Sequence, residues 1–190
     1  MKKTLMTILL VVLAATTFAV TFDLGVKVGY NSSKLTTNTS TFSADPEGGY
    51  NFGAFGRFGG KFYFQPEFLY VVNNGGFTVG ATTDAIKMKS IQVPLLLGFK
   101  LLDLKVAKLH AFTGPAVAFA TGYESDKNLT YNIKNSTWDY QLGAGIDVLI
   151  FTLDLRYSWG ISDKLDTSAL NTNFTSKVNA FRVSLGIKLL

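Results

Sequence analysis

WDYQLGAGIDVLIFTLDLRYSWG, residues 138–160, alternates strictly between two kinds of side chain on either side of a short break. Trp138, Tyr140, Leu142, Ala144, Ile146 and Val148 fall in one phase. Asp139, Gln141, Gly143, Gly145 and Asp147 fall in the other. After Leu149-Ile150 the pattern resumes, with Leu153, Leu155, Tyr157 and Trp159 set against Asp154, Arg156, Ser158 and Gly160. A period of two belongs to a β-strand, whose successive side chains point to opposite faces, and not to a helix with its period of 3.6. The stretch predicts two strands joined by a tight turn, one face oily and the other polar.

The same alternation recurs outward in both directions. Phe22, Leu24, Val26, Val28 and Tyr30 alternate with Asp23, Gly25, Lys27, Gly29 and Asn31. Near the other end Phe181, Val183, Leu185, Ile187 and Leu189 alternate with Arg182, Ser184, Gly186 and Lys188. Less regular strands run through 50–58, 61–72, 88–100 and 109–120. That makes about eight, each close to the roughly 9–11 residues a tilted strand needs to cross a bilayer. Connections 31–49, 73–87, 121–136 and 161–177 are long and rich in Asn, Thr, Ser and Gly, whereas Gly59-Gly60, Leu101–Lys108 and Leu149-Ile150 are short. Long loops at one end and tight turns at the other predict an all-β, antiparallel, up-and-down barrel of eight strands with both termini at the short-turn end.

Composition bounds what the barrel can be. The chain has 190 residues, 16 Phe, 8 Tyr, 18 Gly, no Cys and only 16% charged residues. Soluble domains carry about 25% charge. The absence of Cys excludes a disulfide scaffold, a thiolate metal site and a lipidated-cysteine anchor. The formal charge of +5 owes part of its size to Lys2 and Lys3; without them 16 basic residues face 13 acidic ones, with no basic run. No nucleic-acid partner is expected. Lys2-Lys3, the apolar run Leu5 to Leu13 and the small-x-small site Thr17-Phe18-Ala19 read as a signal peptide over 1–19, leaving the barrel domain at 20–190.

A soluble barrel of the lipocalin kind also alternates, but its oily face lines a ligand cavity. The aromatic positions decide against it. On the oily face Tyr30, Tyr50, Phe52, Tyr70, Phe119, Trp138, Tyr140, Tyr157, Trp159 and Phe181 fall next to the long connections. Phe22, Phe58, Phe62, Phe99 and Phe151 fall next to the short ones. Two belts of rings separated by Leu, Val and Ala suit the two interfaces of a membrane. In lipid only a closed barrel lets every strand satisfy its backbone hydrogen bonds. A transmembrane barrel in a bacterial outer membrane follows, with periplasmic termini and extracellular long loops.

The segments GVKVGYN (25–31), FYFQPEFLY (62–70), IQVPLLLGF (91–99), FTGP (112–115), LRYSWG (155–160) and VSLGIKL (183–189) occur in this order. As a series they resemble the landmarks of the PorT-like outer-membrane β-barrel proteins, common in the Bacteroidota. The resemblance implies an eight-stranded barrel inserted in the outer membrane and implies little about activity. Barrels of this kind often end in an aromatic residue that assists the insertion machinery, whereas this chain ends Leu189-Leu190.

Candidate sites are few. His110 is the one histidine, facing the lumen near the short-turn end with no Ser/Asp pair arranged around it by sequence. With one His, no Cys and no clustered carboxylates, no metal is expected. Gly53-x-x-Gly56-x-x-Gly59 and Gly143-Ala144-Gly145 lie inside strands, so curvature explains them better than phosphate binding, and no cofactor is expected. Pro66 and Pro94 each remove a ladder donor and are expected to mark bulges. The polar phase carries Lys27, Arg57, Glu67, Asp139, Asp147, Asp154, Arg156, Arg182 and Lys188, a charge network expected to plug the lumen, each member with an opposite partner. The turn at Leu149-Ile150 is expected to set Asp147 opposite Asp154, with Arg156 bridging the two carboxylates. The expected role is a non-enzymatic envelope component or a loop-mediated binding partner in a larger assembly. Its expected contacts are outer-membrane lipid, the insertion machinery and an envelope protein met through the long loops. The alternative is a small transport or channel protein, which the narrow interior of eight strands disfavours.

Overall fold

A computed structural model describes residues 21–37, 47–79, 82–104, 106–125, 136–162 and 176–190. The signal peptide expected over 1–19 lies outside them, as do 38–46, 126–135 and 163–175 within the long connections. The strands are β1 (Phe22–Thr37), β2 (Glu47–Gly59), β3 (Phe62–Val79), β4 (Thr82–Asp103), β5 (Ala107–Ser125), β6 (Ser136–Val148), β7 (Phe151–Gly160) and β8 (Ser176–Lys188). Each pairs antiparallel with its neighbours in sequence, and β1 pairs with β8, so the sheet closes on itself with no free edge. The start of β1 and the C-terminal Leu190 meet at the short-turn end, where Leu24 N–H donates to Leu190 O (3.2 Å) and Gly59 N–H to Thr21 O (3.0 Å).

Alternation sorts the faces as the sequence predicts. In β7 the odd positions from Phe151 to Trp159 are exposed, while Thr152, Asp154, Arg156 and Ser158 are buried. The outer surface carries an oily band, with Val28, Leu142 and Leu155 half exposed between rings at either end. Neighbouring rings touch across strands. Phe22 and Phe58 centroids lie 4.9 Å apart at the short-turn end, and those of Phe52 and Tyr70 5.3 Å apart towards the other. Such a surface is stable only against hydrocarbon.

The turns explain the regular ends. Val148 pairs with Phe151 across a two-residue loop in which Leu149 has φ 54°, the left-handed conformation that tight hairpins require. At the β2–β3 turn Gly59 takes φ 130°, which a side chain would resist.

Three local expectations are corrected. Segments 31–37, 73–79, 82–87 and 121–125 are strand, so the ladders run on past the oily band where connections were expected. No bulge occurs at Pro66 or Pro94. The ladder skips a pair or two beside each, but register is unchanged across the gap. The shifts between β4 and β5 instead fall at Lys89/Ser90 and at Lys100/Leu102, leaving both Leu101 and Leu102 exposed. A proline removes one donor without adding a residue, and a bulge needs the extra residue.

Candidate functional site

The lumen is filled at mid-height by charged side chains reaching across it. Of the nine residues expected there, Lys27, Arg57, Glu67, Asp147, Asp154, Arg156 and Arg182 are each no more than 3% exposed. Asp139 and Lys188 are half-buried towards opposite ends. Glu67 of β3 is the hub. Its Oε2 accepts from Arg156 Nη1 at 2.9 Å. Its Oε1 accepts from Arg156 Nη2 (2.9 Å), Lys27 Nζ (2.8 Å) and Gln65 Nε2 (2.6 Å). Lys27 Nζ also donates to Asp154 Oδ2 at 2.9 Å. Arg57 donates from Nη1 to Asp147 Oδ2 (2.7 Å) and from Nε to Gln65 Oε1 (2.8 Å), which joins the two halves of the network. Lys188 Nζ reaches Asp147 Oδ2 at 3.1 Å, Gln92 Nε2 reaches Asp139 Oδ1 at 2.9 Å, and His110 of β5 meets Asp154, so all eight strands contribute.

The network obeys the cost of burying charge. An isolated ion taken from water loses several kcal/mol, which only close partners and further hydrogen bonds offset. Bidentate contact between Arg156 and Glu67 is the strong form of such a pair, because the planar fork matches the carboxylate.

Register corrects the expected pairing at the β6–β7 hairpin. Asp147 lies opposite Thr152, and Asp154 lies opposite Gly145. The two carboxylates are therefore one step apart along the ladder, and Arg156 does not bridge them. Lys27 takes Asp154, Arg57 takes Asp147, and Arg156 crosses the barrel to Glu67. Nor does every charge have an opposite partner: neither Arg182 nor Asp139 forms an ion pair with another described residue. Asp139 accepts instead from Gln92 and from Gln141 Nε2 (2.6 Å).

His110 faces the lumen as expected and is fully buried. Its Nε2 lies 3.1 Å from Asp154 Oδ1 and its Nδ1 3.7 Å from Asp147 Oδ1, so the imidazole sits between the two carboxylates. The ring lies over Gly145, its cross-strand neighbour. Among the described residues no group of three or more His, Cys, Asp or Glu side chains could hold a metal ion.

Several members of the network go beyond the expected charges, although Gln141 already falls in the polar phase. Gln65 and Gln141 relay hydrogen bonds between charges. Phe55, Tyr63 and Phe112 put buried rings against the cations: Lys27 Nζ lies 4.8 Å from the Phe55 centroid, Arg57 Cζ 4.7 Å from Tyr63 and Arg156 Cζ 5.0 Å from Phe112. Their phase was available, since Gln65 and Tyr63 lie two and four residues before Glu67 on the same face.

Comparison with known proteins agrees with this geometry. The pattern of the outer membrane protein beta-barrel domain matches residues 15–166. Among solved structures, the outer membrane protein OprG from Pseudomonas aeruginosa is similar with a TM-score of 0.59 at 12% identity, over 88% of this chain and 95% of that one. Neisserial surface protein A (NspA) gives 0.54 at 10% identity, over 87% and 97%. Ail of Yersinia pestis, solved with the heparin analogue sucrose octasulfate, gives 0.52 at 14% identity, over 88% and 99%. At these identities the likeness is one of fold alone. No curated protein matches the chain in sequence. The family pattern and the closed eight-stranded barrel together place the protein in the bacterial outer membrane, and the chain belongs to the outer membrane protein beta-barrel domain family.

Proposed function

We propose that this barrel is a non-enzymatic component of the outer membrane whose lumen is plugged and whose long connections meet a partner in the envelope. The observation that carries the reading is the cross-lumen network of Lys27, Glu67, Asp154 and Arg156, buried to 3% exposure or less. A barrel of eight strands has an interior just wide enough for side chains, and here the side chains are salt-bridged to one another. The alternative, a small transport or channel protein, requires these pairs to part. His110 supports the non-enzymatic reading, because its ring nitrogens face Asp154 and Asp147 rather than a hydroxyl nucleophile.

The orientation we favour has periplasmic termini and short turns, with the connections at 38–46, 126–135 and 163–175 outside the cell. The ordered series from GVKVGYN to VSLGIKL supports a place among the PorT-like members of the family, after export through a leader at 1–19 and assembly by the insertion machinery. A tagged barrel captured from envelope extracts, beside a version with 126–135 and 163–175 shortened to Gly-Ser turns, tests the role. The reading expects a specific envelope protein with the full chain and its loss with the shortened one, while both insert. Equal capture by both would contradict a loop-borne role.

A further inference from the structure

We propose that the long-connection end of the lumen binds a monovalent anion, a halide or a carboxylate, on Arg182 and Ser158. Arg182 is 3% exposed, yet its Nε and Nη1 have no hydrogen-bond partner among the described residues. Ser158, 4% exposed, has an unpartnered Oγ. Both line a cavity of about 40 Å³ whose wall also includes Thr137, Gln92 and Asp139. Three donor atoms thus belong to residues bordering one small space, with no acceptor on them among the described residues. Buried donors in folded proteins are nearly always satisfied, and an unpaired buried cation is the most costly exception.

Among the described residues no carboxylate is placed to fill the gap. Arg182 lies directly opposite Arg156 in the β7–β8 ladder, so two guanidinium groups share this level of the lumen. Both oxygens of Glu67 are held by Arg156, and Lys27 and Gln65 add to one of them. Asp154 and Asp147 are engaged towards the short-turn end by Lys27, His110, Arg57 and Lys188. Asp139 shares the cavity wall, but its two oxygens accept from Gln92 and Gln141, and it lies beyond ion-pair distance of Arg182. Among the described residues Arg182 therefore has no ion-pair partner, and the one carboxylate on the cavity wall, Asp139, is taken by two amides.

Size and charge define the ligand. At roughly 10–15 Å³ for each water-sized centre, the cavity takes about three such groups. That is room for a halide with a water, or for one carboxylate head, which the guanidinium fork matches in shape. A divalent oxyanion would also meet Asp139 on the cavity wall. The unpartnered Oε1 of Gln92 offers an acceptor for the accompanying water.

The test uses the full barrel refolded in detergent. Crystals soaked in sodium bromide are expected to show an anomalous peak in contact with Arg182 Nε or Nη1. In solution, bromide, chloride or acetate in place of sulfate at matched ionic strength is expected to raise the unfolding midpoint by about 3 °C. Arg182→Gln is expected to lose that shift. The halide and acetate arms distinguish the two ligand sources. A cavity holding water alone, an Arg182 side chain swung onto Asp139, or an equal shift in Arg182→Gln would overturn the proposal. The bromide measurement on the unaltered protein decides the matter even if the variant does not refold.

Discussion

Arg156 of β7 grips Glu67 of β3 with both terminal nitrogens, 2.9 Å to each carboxylate oxygen, across the full width of the lumen. The two strands are not neighbours in the sheet, so this contact ties opposite walls of the barrel together. Both side chains are almost wholly enclosed. Removing one partner leaves the other charge buried without compensation. Arg156→Ala is therefore expected to cost about 3–5 kcal/mol in reversible urea unfolding from vesicles. Replacing both residues with apolar side chains of similar volume is expected to recover most of that loss. If the double variant is as unstable as the single one, uncompensated charge is not the cause.

Gly145 gives His110 its place. A Cβ built at Gly145 would lie 2.5 Å from His110 Nε2 and 2.8 Å from the Leu153 carbonyl oxygen. The same Cβ would crowd Asp154 Oδ1 more closely still, so Gly145→Ala must displace the Asp154 carboxylate and the imidazole together, or the backbone of β7. A destabilisation of about 1–3 kcal/mol is expected, as for overpacking in a tight core. The same unfolding experiment checks it, and an unchanged midpoint would show that the ring is free to move away.

Both faces resist an added charge, for different reasons. Leu155, 47% exposed at the middle of β7, points outward, so Leu155→Arg is expected to cost about 2–4 kcal/mol and to slow insertion. An inward arginine finds no room either, since Ser184 is 3% exposed and packs against Gly29. The informative control is thus Ser184→Ala, expected to change stability by less than about 1 kcal/mol. Equal losses at Leu155 and Ser184 would contradict the assignment of faces.

Much of this was legible in the sequence, and the failures share a cause. Strands were found wherever one face is oily and the other polar, as in 138–148. The pattern fades at 31–37 and 121–125, where Asn, Ser, Thr and Gly predominate, although the strands continue. Phase placed Lys27, Glu67 and Arg156 in the lumen. It could not say which meets which, because the partners lie on strands far apart in sequence and meet across a narrow tube. The buried rings of Phe55 and Phe112 were passed over because aromatic residues were assigned to the outer belts. Their positions two residues from Arg57 and His110 put them inside.

Orientation is open to direct labelling. Peptide tags inserted within 126–135 or 163–175 are expected to be reached by antibody on intact cells. A tag at Gly59-Gly60 is expected to be reached only after the outer membrane is opened. The reverse pattern would invert the barrel, and recovery in the soluble periplasm would remove it from the membrane.

The central claim is that side chains close the lumen, and single-channel recording of the refolded barrel in a planar bilayer tests it most directly. The account predicts no steady conductance for the unaltered protein, and discrete openings only in variants such as Glu67→Ala or Arg156→Ala that cut the network. A steady open conductance in the unaltered barrel would contradict it.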